Sequence, residues 1–483
     1  MLLRWQQVES EEQLFLQRLL RQSTDSEIRH LAQRLARQRQ RVSAAAHRKP
    51  FNRPESDQLV QKLQDLEQTL TSRSPQFRQQ LAIGQVDVSD LEDVLEDKTG
   101  LLVLRVFNSY NPKTGKVEAL HWLAAWIARE ADGQMRVRLY DLGEVEDSLA
   151  LWQAAQRDPQ ASQDLYQHLF ASLDPLLASV KQLYIVPDYF LHQADFGSWR
   201  LPNGDYWLQR QSIRRLHTAR DLLRRNDYLQ TQGLVAFGGI AYGEAISEPS
   251  EIKQPQPVLH EPVLAQRGLE EGFAFLPASL EEMDHFARDF WNRKHIGPLL
   301  VRKGGQATEH ALKQITDPPR ILHLATHGFY LRDQDNTQRP LVSSGLALAQ
   351  ANQGLQGKRD QDQEDGILYA LEAVDLNLEG TELVTLSACE TGQGDLDYSE
   401  GLYGLVLAFK LAGASNVLMT LRKVNDARAM RFMKQFYFEW LSGPPQHPAL
   451  ALRQTKLHFI NQGNAIQRDP AFWSPYVLVE TTQ

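Results

Sequence analysis

Two short apolar runs, each closed by a small-residue turn, constrain what this chain can fold into more than any other feature. Arg320-Ile321-Leu322-His323-Leu324-Ala325-Thr326 leads into His327-Gly328, and Val384-Thr385-Leu386-Ser387 leads into Ala388-Cys389-Glu390-Thr391-Gly392. Apolar runs of this length, bounded by turn signals, read as buried strands. Alternation of such runs with helical segments makes a parallel sheet. In an open parallel sheet, groups at the carboxyl ends of neighbouring strands meet in one crevice, where ligands bind. A thiol and an imidazole so placed are the two parts of a nucleophile-and-base pair.

Cys389 is the only cysteine among 483 residues. An internal disulfide and a cysteine-rich zinc site are therefore excluded, and neither metal nor cofactor is expected. A lone free thiol suits a reducing compartment. Met1 to Gln7 lacks the apolar core of a signal peptide, and the apolar runs fall well short of the roughly 20 residues of a membrane helix. A cytoplasmic protein without membrane contact is the expectation. The net charge of −8 argues against a general nucleic-acid binder.

The chain has length for two or three domains. Residues 8 to about 82 show helical spacing: Leu14, Phe15 and Leu19, then Ile28, Leu31 and Leu35, then Leu59, Leu63, Leu66 and Leu70, with a break between Pro50 and Pro54. From Arg18 to Arg53 ten Lys or Arg face two acids, a surplus that reads first as a solvated helix face. Strands are predicted at Leu101–Phe107, His121–Ala128, Arg136–Leu142 and Gln182–Asp188, with helical spacing over Leu149–Val180 broken near Pro159. His192 reads as structural, and Arg214–Arg225 as a basic surface helix. Leu234–Gly239 is a strand running into a glycine pair that lacks the spacing and the lysine of a phosphate loop. Residues 243–262 read as linker. An amphipathic helix follows at Leu280–Trp291, with Met283, Phe286, Ala287 and Phe290 on its apolar side. Then come a strand at Leu299–Val301 and a helix capped by Thr308. Gln350–Asp365 reads as a structureless polar loop that gates the site or is cut on activation, or else as a plain surface insertion.

For Cys389 to attack a carbonyl, a nearby cation must depress its pKa below the free value of about 8.5. His327 is the expected base. His323 shares its side of the strand but lies inside the sheet, so it reads as an interior histidine. The spacing of 62 residues between His327 and Cys389 is near that of caspases, whose histidine precedes an Ala-Cys turn by some 50 residues. The backbone N–H groups of Cys389 and Gly328 are the expected oxyanion donors.

His-Leu-Ala-Thr-His-Gly at 323–328 and Leu-Ser-Ala-Cys-Glu-Thr-Gly at 386–392 resemble the signature of CHAT-domain cysteine peptidases, caspase-like proteins related to separases and often attached to TPR repeats. Leu276-Pro277-Ala278-Ser279, Ser344 to Ala349, Asp365-Gly366-Ile367-Leu368, Glu400-Gly401-Leu402 and Phe472 to Val479 fit the same pattern. The resemblance implies an α/β caspase-hemoglobinase fold of three layers with parallel-rich sheets. Its parts would be a helical region at 1–95, a pseudo-caspase half at 96–262 and an active half at 263–483. It also implies His327 and Cys389 as the catalytic pair, sharing a solvent-open cleft. By likeness to separases, Asp426 would be an acidic specificity residue favouring Arg or Lys, although Arg422 and Lys423 stand close enough in sequence to neutralise it. Asp395 is the other acidic candidate.

The implied function is selective cleavage of a partner protein by an endopeptidase held inactive until a signal arrives, in bacterial defence or regulated cell death. The N-terminal helices are the place for an activating protein to dock. The alternatives are a CHAT-like scaffold whose site is unused and a nucleic-acid-sensing adaptor resting on the Arg18–Arg53 surplus. Nothing in the sequence fixes the oligomeric state.

Overall fold

The computed structural model describes residues 25–46, 53–74 and 88–480, apart from 111–116, 131, 156–157, 224–230, 244–271, 290–296, 331–343, 359, 361, 363, 388–396, 423 and 445. The chain divides into two compact units, Met1–Asp90 and Leu91–Gln483. In the first, α1 (Ser26–Ala46) and α2 (Arg53–Arg73) pack against each other. Leu31, Ala32, Leu35 and Leu70 are buried, as the helical spacing predicts for the three leucines, while Arg34 and Arg37 of the basic surplus are exposed. An ion pair between Glu27, early in α1, and Arg73, at the end of α2, joins their outer ends.

The second unit is built on an 11-stranded sheet in the order β3-β2-β1-β4-β5-β14-β13-β12-β8-β6-β7. Its strands are β1 (Thr99–Tyr110), β2 (Val117–Arg129), β3 (Met135–Glu144), β4 (Gln182–Val186), β5 (Ser212–Leu216), β6 (Leu234–Ile240), β7 (Leu299–Gly304), β8 (Ile321–Ala325), β12 (Leu383–Ser387), β13 (Asn416–Thr420) and β14 (Tyr476–Glu480). The β1-β2-β3 meander and the β13-β14 pair are antiparallel, and every other neighbour is parallel. A separate antiparallel sheet, β11-β10-β9, is made by β9 (Gly328–Tyr330), β10 (Ser344–Ala347) and β11 (Ile367–Tyr369). The expected α/β architecture with a parallel-rich sheet between helical layers is thus observed. β6 precedes residue 262 in the chain, yet it lies between β7 and β8.

Every residue of β8, β12 and β13 is buried, which is why these strands read as unbroken apolar runs. Two cores cover the sheet. Leu102, Leu104, Trp122, Ala124 and Trp126 pack against α3 (Val145–Ala155), α4 (Pro159–Phe170) and α5 (Asp174–Ser179). Under the second half, Ala236, Ile321, Ala325, Leu383 and Leu418 meet α6 (Pro277–Asp289), α9 (Asp426–Leu441) and α10 (Pro448–Gln462). On α6, Met283 and Phe286 are buried as expected, whereas Ala287 is exposed and Glu282 takes the inward place. The glycine pair ending β6 serves this packing: a Cβ on Gly239 would meet Leu280 at 2.7 Å, and one on Gly238 would meet Met283 at 2.8 Å.

Arg214–Arg225 is not a surface helix. Arg214 and Arg215 lie on β5, between β4 and β14, and Arg215 and Arg220 are buried. Charged side chains are tolerated inside a sheet only when paired. Arg214 Nε donates to Glu480 Oε1 at 2.7 Å, and Arg215 donates to the carbonyls of Ala194 and His192. Arg224 and Arg225 fall outside the described residues, as do Phe290, Trp291 and nearly all of the expected linker.

The polar stretch Gln350–Asp365 also departs from expectation. It opens with a helical turn at Ala351–Gly354, and the Asp360 carboxylate accepts from the N–H groups of Asp362 and Glu364, each at 2.9 Å. Its end is fixed by α7 (Glu309–Lys313), capped as predicted by Thr308. Lys313 Nζ stands 2.6 Å from Glu309, 3.0 Å from Glu364 and 3.0 Å from Glu372, while Glu309 Oε2 accepts from Gly366 N–H.

Burial pushes the Glu309 carboxyl up to about 7 from an ordinary 4.5, against the opposing pull of Lys313. The folded state therefore keeps this proton to higher pH than the unfolded chain, and stability falls as pH rises from 4.5 through about 7. The melting temperature is expected to decline across that window, and Glu309→Gln to flatten the decline. An equal slope in the variant would remove Glu309 as its source.

Candidate active site

β8 and β12 run side by side in register, with His323 opposite Thr385 and Ala325 opposite Ser387. At their carboxyl ends Thr326 N–H donates to Ser387 O at 3.1 Å. This contact is one residue before His327 and two residues before Cys389. Cys389 itself and Asp395 lie outside the described residues.

His327 follows β8 directly and is held from three sides. Its Nε2 is 2.6 Å from Ala274 O. A carbonyl can only accept, so Nε2 carries the proton, and Nδ1 is the nitrogen that lacks one in the neutral ring. The rings of Tyr242 and Phe273 flank the imidazole, with centroids 5.1 Å and 5.6 Å away. The expectation of an imidazole open to solvent is corrected here: these rings cover His327 to 3% exposure.

Tyr242 joins the site to its surroundings. Its hydroxyl bonds Thr326 Oγ1 at 2.9 Å, and Thr326 Oγ1 also donates to Ala347 O. Burial, with the negative charge of Asp426 as a lesser cause, pushes the Tyr242 phenol above its ordinary value. Asp426 is the acid whose charge reaches that phenol. It opens α9 and accepts from Ala278 N–H at 2.6 Å, which caps α6. The Arg422 guanidinium donates to Ser474 Oγ. Lys423 is outside the described residues.

Gly328 begins β9 opposite Leu346. Ala347 N–H donates to His327 O at 2.9 Å, so Gly328 and Leu346 form the non-hydrogen-bonded kind of antiparallel pair. The Gly328 N–H is thereby turned away from β10.

His323 is fully buried, as expected of an interior histidine, and belongs to a network the sequence did not reveal. Its Nε2 is 3.3 Å from Glu282 Oε1 and its Nδ1 is 3.0 Å from Tyr437 OH. Tyr437 OH is also 2.9 Å from Thr385 Oγ1, and Ser387 Oγ donates to Glu282 Oε2 at 3.2 Å. Five polar side chains from α6, α9, β8 and β12 thus gather inside an apolar layer, with Glu282 Oε1 and His323 Nε2 close enough for an ion pair but not hydrogen-bonded to each other.

No curated protein matches the chain. Two crystal structures of the Saccharomyces cerevisiae separase–securin complex are similar. One has 9% identity and a TM-score of 0.42 over 94% of this chain and 40% of that one; the other has 8% identity and a TM-score of 0.40 over 98% and 42%. The chain therefore spans about two fifths of the length of those separase chains. The complex of pro- and mature domains of Porphyromonas gingivalis RgpB matches at 7% identity and a TM-score of 0.32, over 68% of this chain and 70% of that chain. The CHAT domain profile covers residues 159–481, two thirds of the sequence, and the chain belongs to the CHAT domain family.

Proposed function

We propose that this protein is a cysteine endopeptidase in which Cys389 is the nucleophile and His327 the general base. The observation that supports it most is the bond from Thr326 N–H to Ser387 O, 3.1 Å long. Two residues of chain span at most about 7 Å, a bound on the backbone distance from Ser387 to Cys389 that supports a thiol within reach of the imidazole one residue beyond Thr326. Nδ1 of His327 takes the thiol proton, and the Ala274 carbonyl steadies the imidazolium through Nε2–H. The thiolate adds to the scissile carbonyl, forming a C–S bond, and the oxyanion is met by the N–H groups of Gly328 and Cys389. Collapse breaks the C–N bond, with the leaving amine protonated by His327, and water then hydrolyses the thioester.

Asp426 is the specificity residue in this reading, with Asp395 as a second acidic group. The Asp426 carboxylate, which accepts from Ala278 N–H at the start of α6, attracts an Arg or Lys side chain by its charge. A partner protein is the substrate, and an activating protein docks on the N-terminal helices. Cleavage of that substrate serves bacterial defence or regulated cell death in the cytoplasm.

A peptidyl electrophile with Arg before its warhead is expected to label Cys389, and His327→Ala to abolish the labelling. Asp426→Asn should cut the labelling rate by roughly a hundredfold for Arg and leave an uncharged analogue within about threefold, as expected when one charge-assisted hydrogen bond is lost. Labelling at ordinary thiol rates in wild type and His327→Ala alike would favour a scaffold over an enzyme.

A further inference from the structure

The carbonyl that holds His327 lies on a segment that is itself gripped from elsewhere. Asn352 Oδ1 accepts from Phe273 N–H at 2.7 Å, and Asn352 Nδ2 donates to Phe273 O at 3.0 Å. One side-chain amide thus fills both backbone groups of a residue, as a neighbouring strand would. Asn352 N–H in turn donates to the carbonyl of Tyr242 at 2.9 Å. Gly272 is shaped for this grip: its φ is +68°, and a Cβ there would meet Asn352 Oδ1 at 2.7 Å. Ala274, the residue after Phe273, carries the oxygen that accepts from His327 Nε2.

We propose that Asn352 is a positioning residue for the reaction above, and the proposal rests on that reading of the site. By fixing both sides of Phe273, the amide aims the next carbonyl at Nε2, which keeps the proton there and leaves Nδ1 for the thiol. The same carbonyl dipole favours the imidazolium, and through it the Cys389 thiolate. Aspartate at this position could accept from Phe273 N–H but would oppose Phe273 O with a second acceptor. Leucine could do neither. The stretch between the two catalytic strands therefore acts on the site through residue 352, at its start.

Because Cys389 is the only cysteine, alkylation by iodoacetamide reads its ionisation in the full chain without a known substrate. The alkylation rate is measured against pH for wild type, His327→Ala, Asn352→Leu, Asn352→Asp and the control Glu309→Gln, with each variant's melting temperature. Expected are a wild-type midpoint below about 8.5 and a midpoint near 8.5 in His327→Ala. Both Asn352 variants should shift upward by about one unit, with alkylation near tenfold slower at any pH below the wild-type midpoint, and Glu309→Gln should match wild type. The charged isostere Asn352→Asp reports even if the leucine variant folds poorly. A depressed, His327-dependent wild-type midpoint left unmoved by both Asn352 variants would overturn the positioning role alone. A wild-type midpoint near 8.5, indifferent to His327→Ala, would overturn the cysteine–histidine pair and this role with it.

Discussion

His327→Ala is expected to lower peptide hydrolysis by about 10³- to 10⁴-fold while leaving substrate affinity within a few-fold. A positioned general base contributes roughly 10²–10⁴ on its own, and in the proposed mechanism the same ring also stabilises the thiolate. The effect should appear in kcat because the imidazole meets the proton in transit and not the substrate's binding groups. His327→Ala removes a ring enclosed by Tyr242 and Phe273, so a cavity accompanies the chemical loss. His327→Gln separates the two effects: it fills much of the space and can still donate to Ala274 O, yet it cannot accept a proton at neutral pH. Equal losses in both variants would assign the effect to proton transfer. A glutamine variant with wild-type kcat would end the assignment of His327 as base, whatever the alanine variant does.

What could be read beforehand follows a physical division. Strands buried on both faces, such as Ile321–Ala325 and Leu383–Ser387, announce themselves as apolar runs. The Thr308 cap and the break at Pro159 were legible because capping and proline geometry are local. β5 was not legible, since the partners that let Arg214 and Arg215 enter a sheet come from Glu480 and from the 191–194 turn, both remote in sequence. The same holds for Glu282, whose inward turn makes sense only once His323 and Ser387 lie beside it. Asn352 stood in a stretch read as loop by composition. Its grip on Phe273 spans 79 positions, a distance no periodicity reports. Burial of His327 was missed for a related reason, because Tyr242 and Phe273 arrive from either side of residues 244–271.

Lys410→Met is expected to destabilise the larger unit by about 3–5 kcal/mol, the usual effect of removing one partner of a buried ion pair. Lys410 lies near the end of α8 (Asp397–Ala412), among Phe409, Leu411 and Ala412, and its Nζ is 2.7 Å from Asp221 Oδ1 with both side chains at 0% exposure. Asp221 Oδ2 also accepts from Thr218 N–H at 2.6 Å, so the carboxylate cannot swing out to water without breaking the turn after β5. The methionine variant would keep that carboxylate in an apolar layer without the ammonium beside it. At pH 7 the melting temperature is expected to drop by roughly 5–10 °C. Asp221→Asn combined with Lys410→Met should recover most of the loss, because the amide oxygen still accepts from Thr218 and no net charge remains buried. A single variant within about 2 °C of wild type, or a double variant no better than the single, would show that the pair's charges are compensated from elsewhere in the fold.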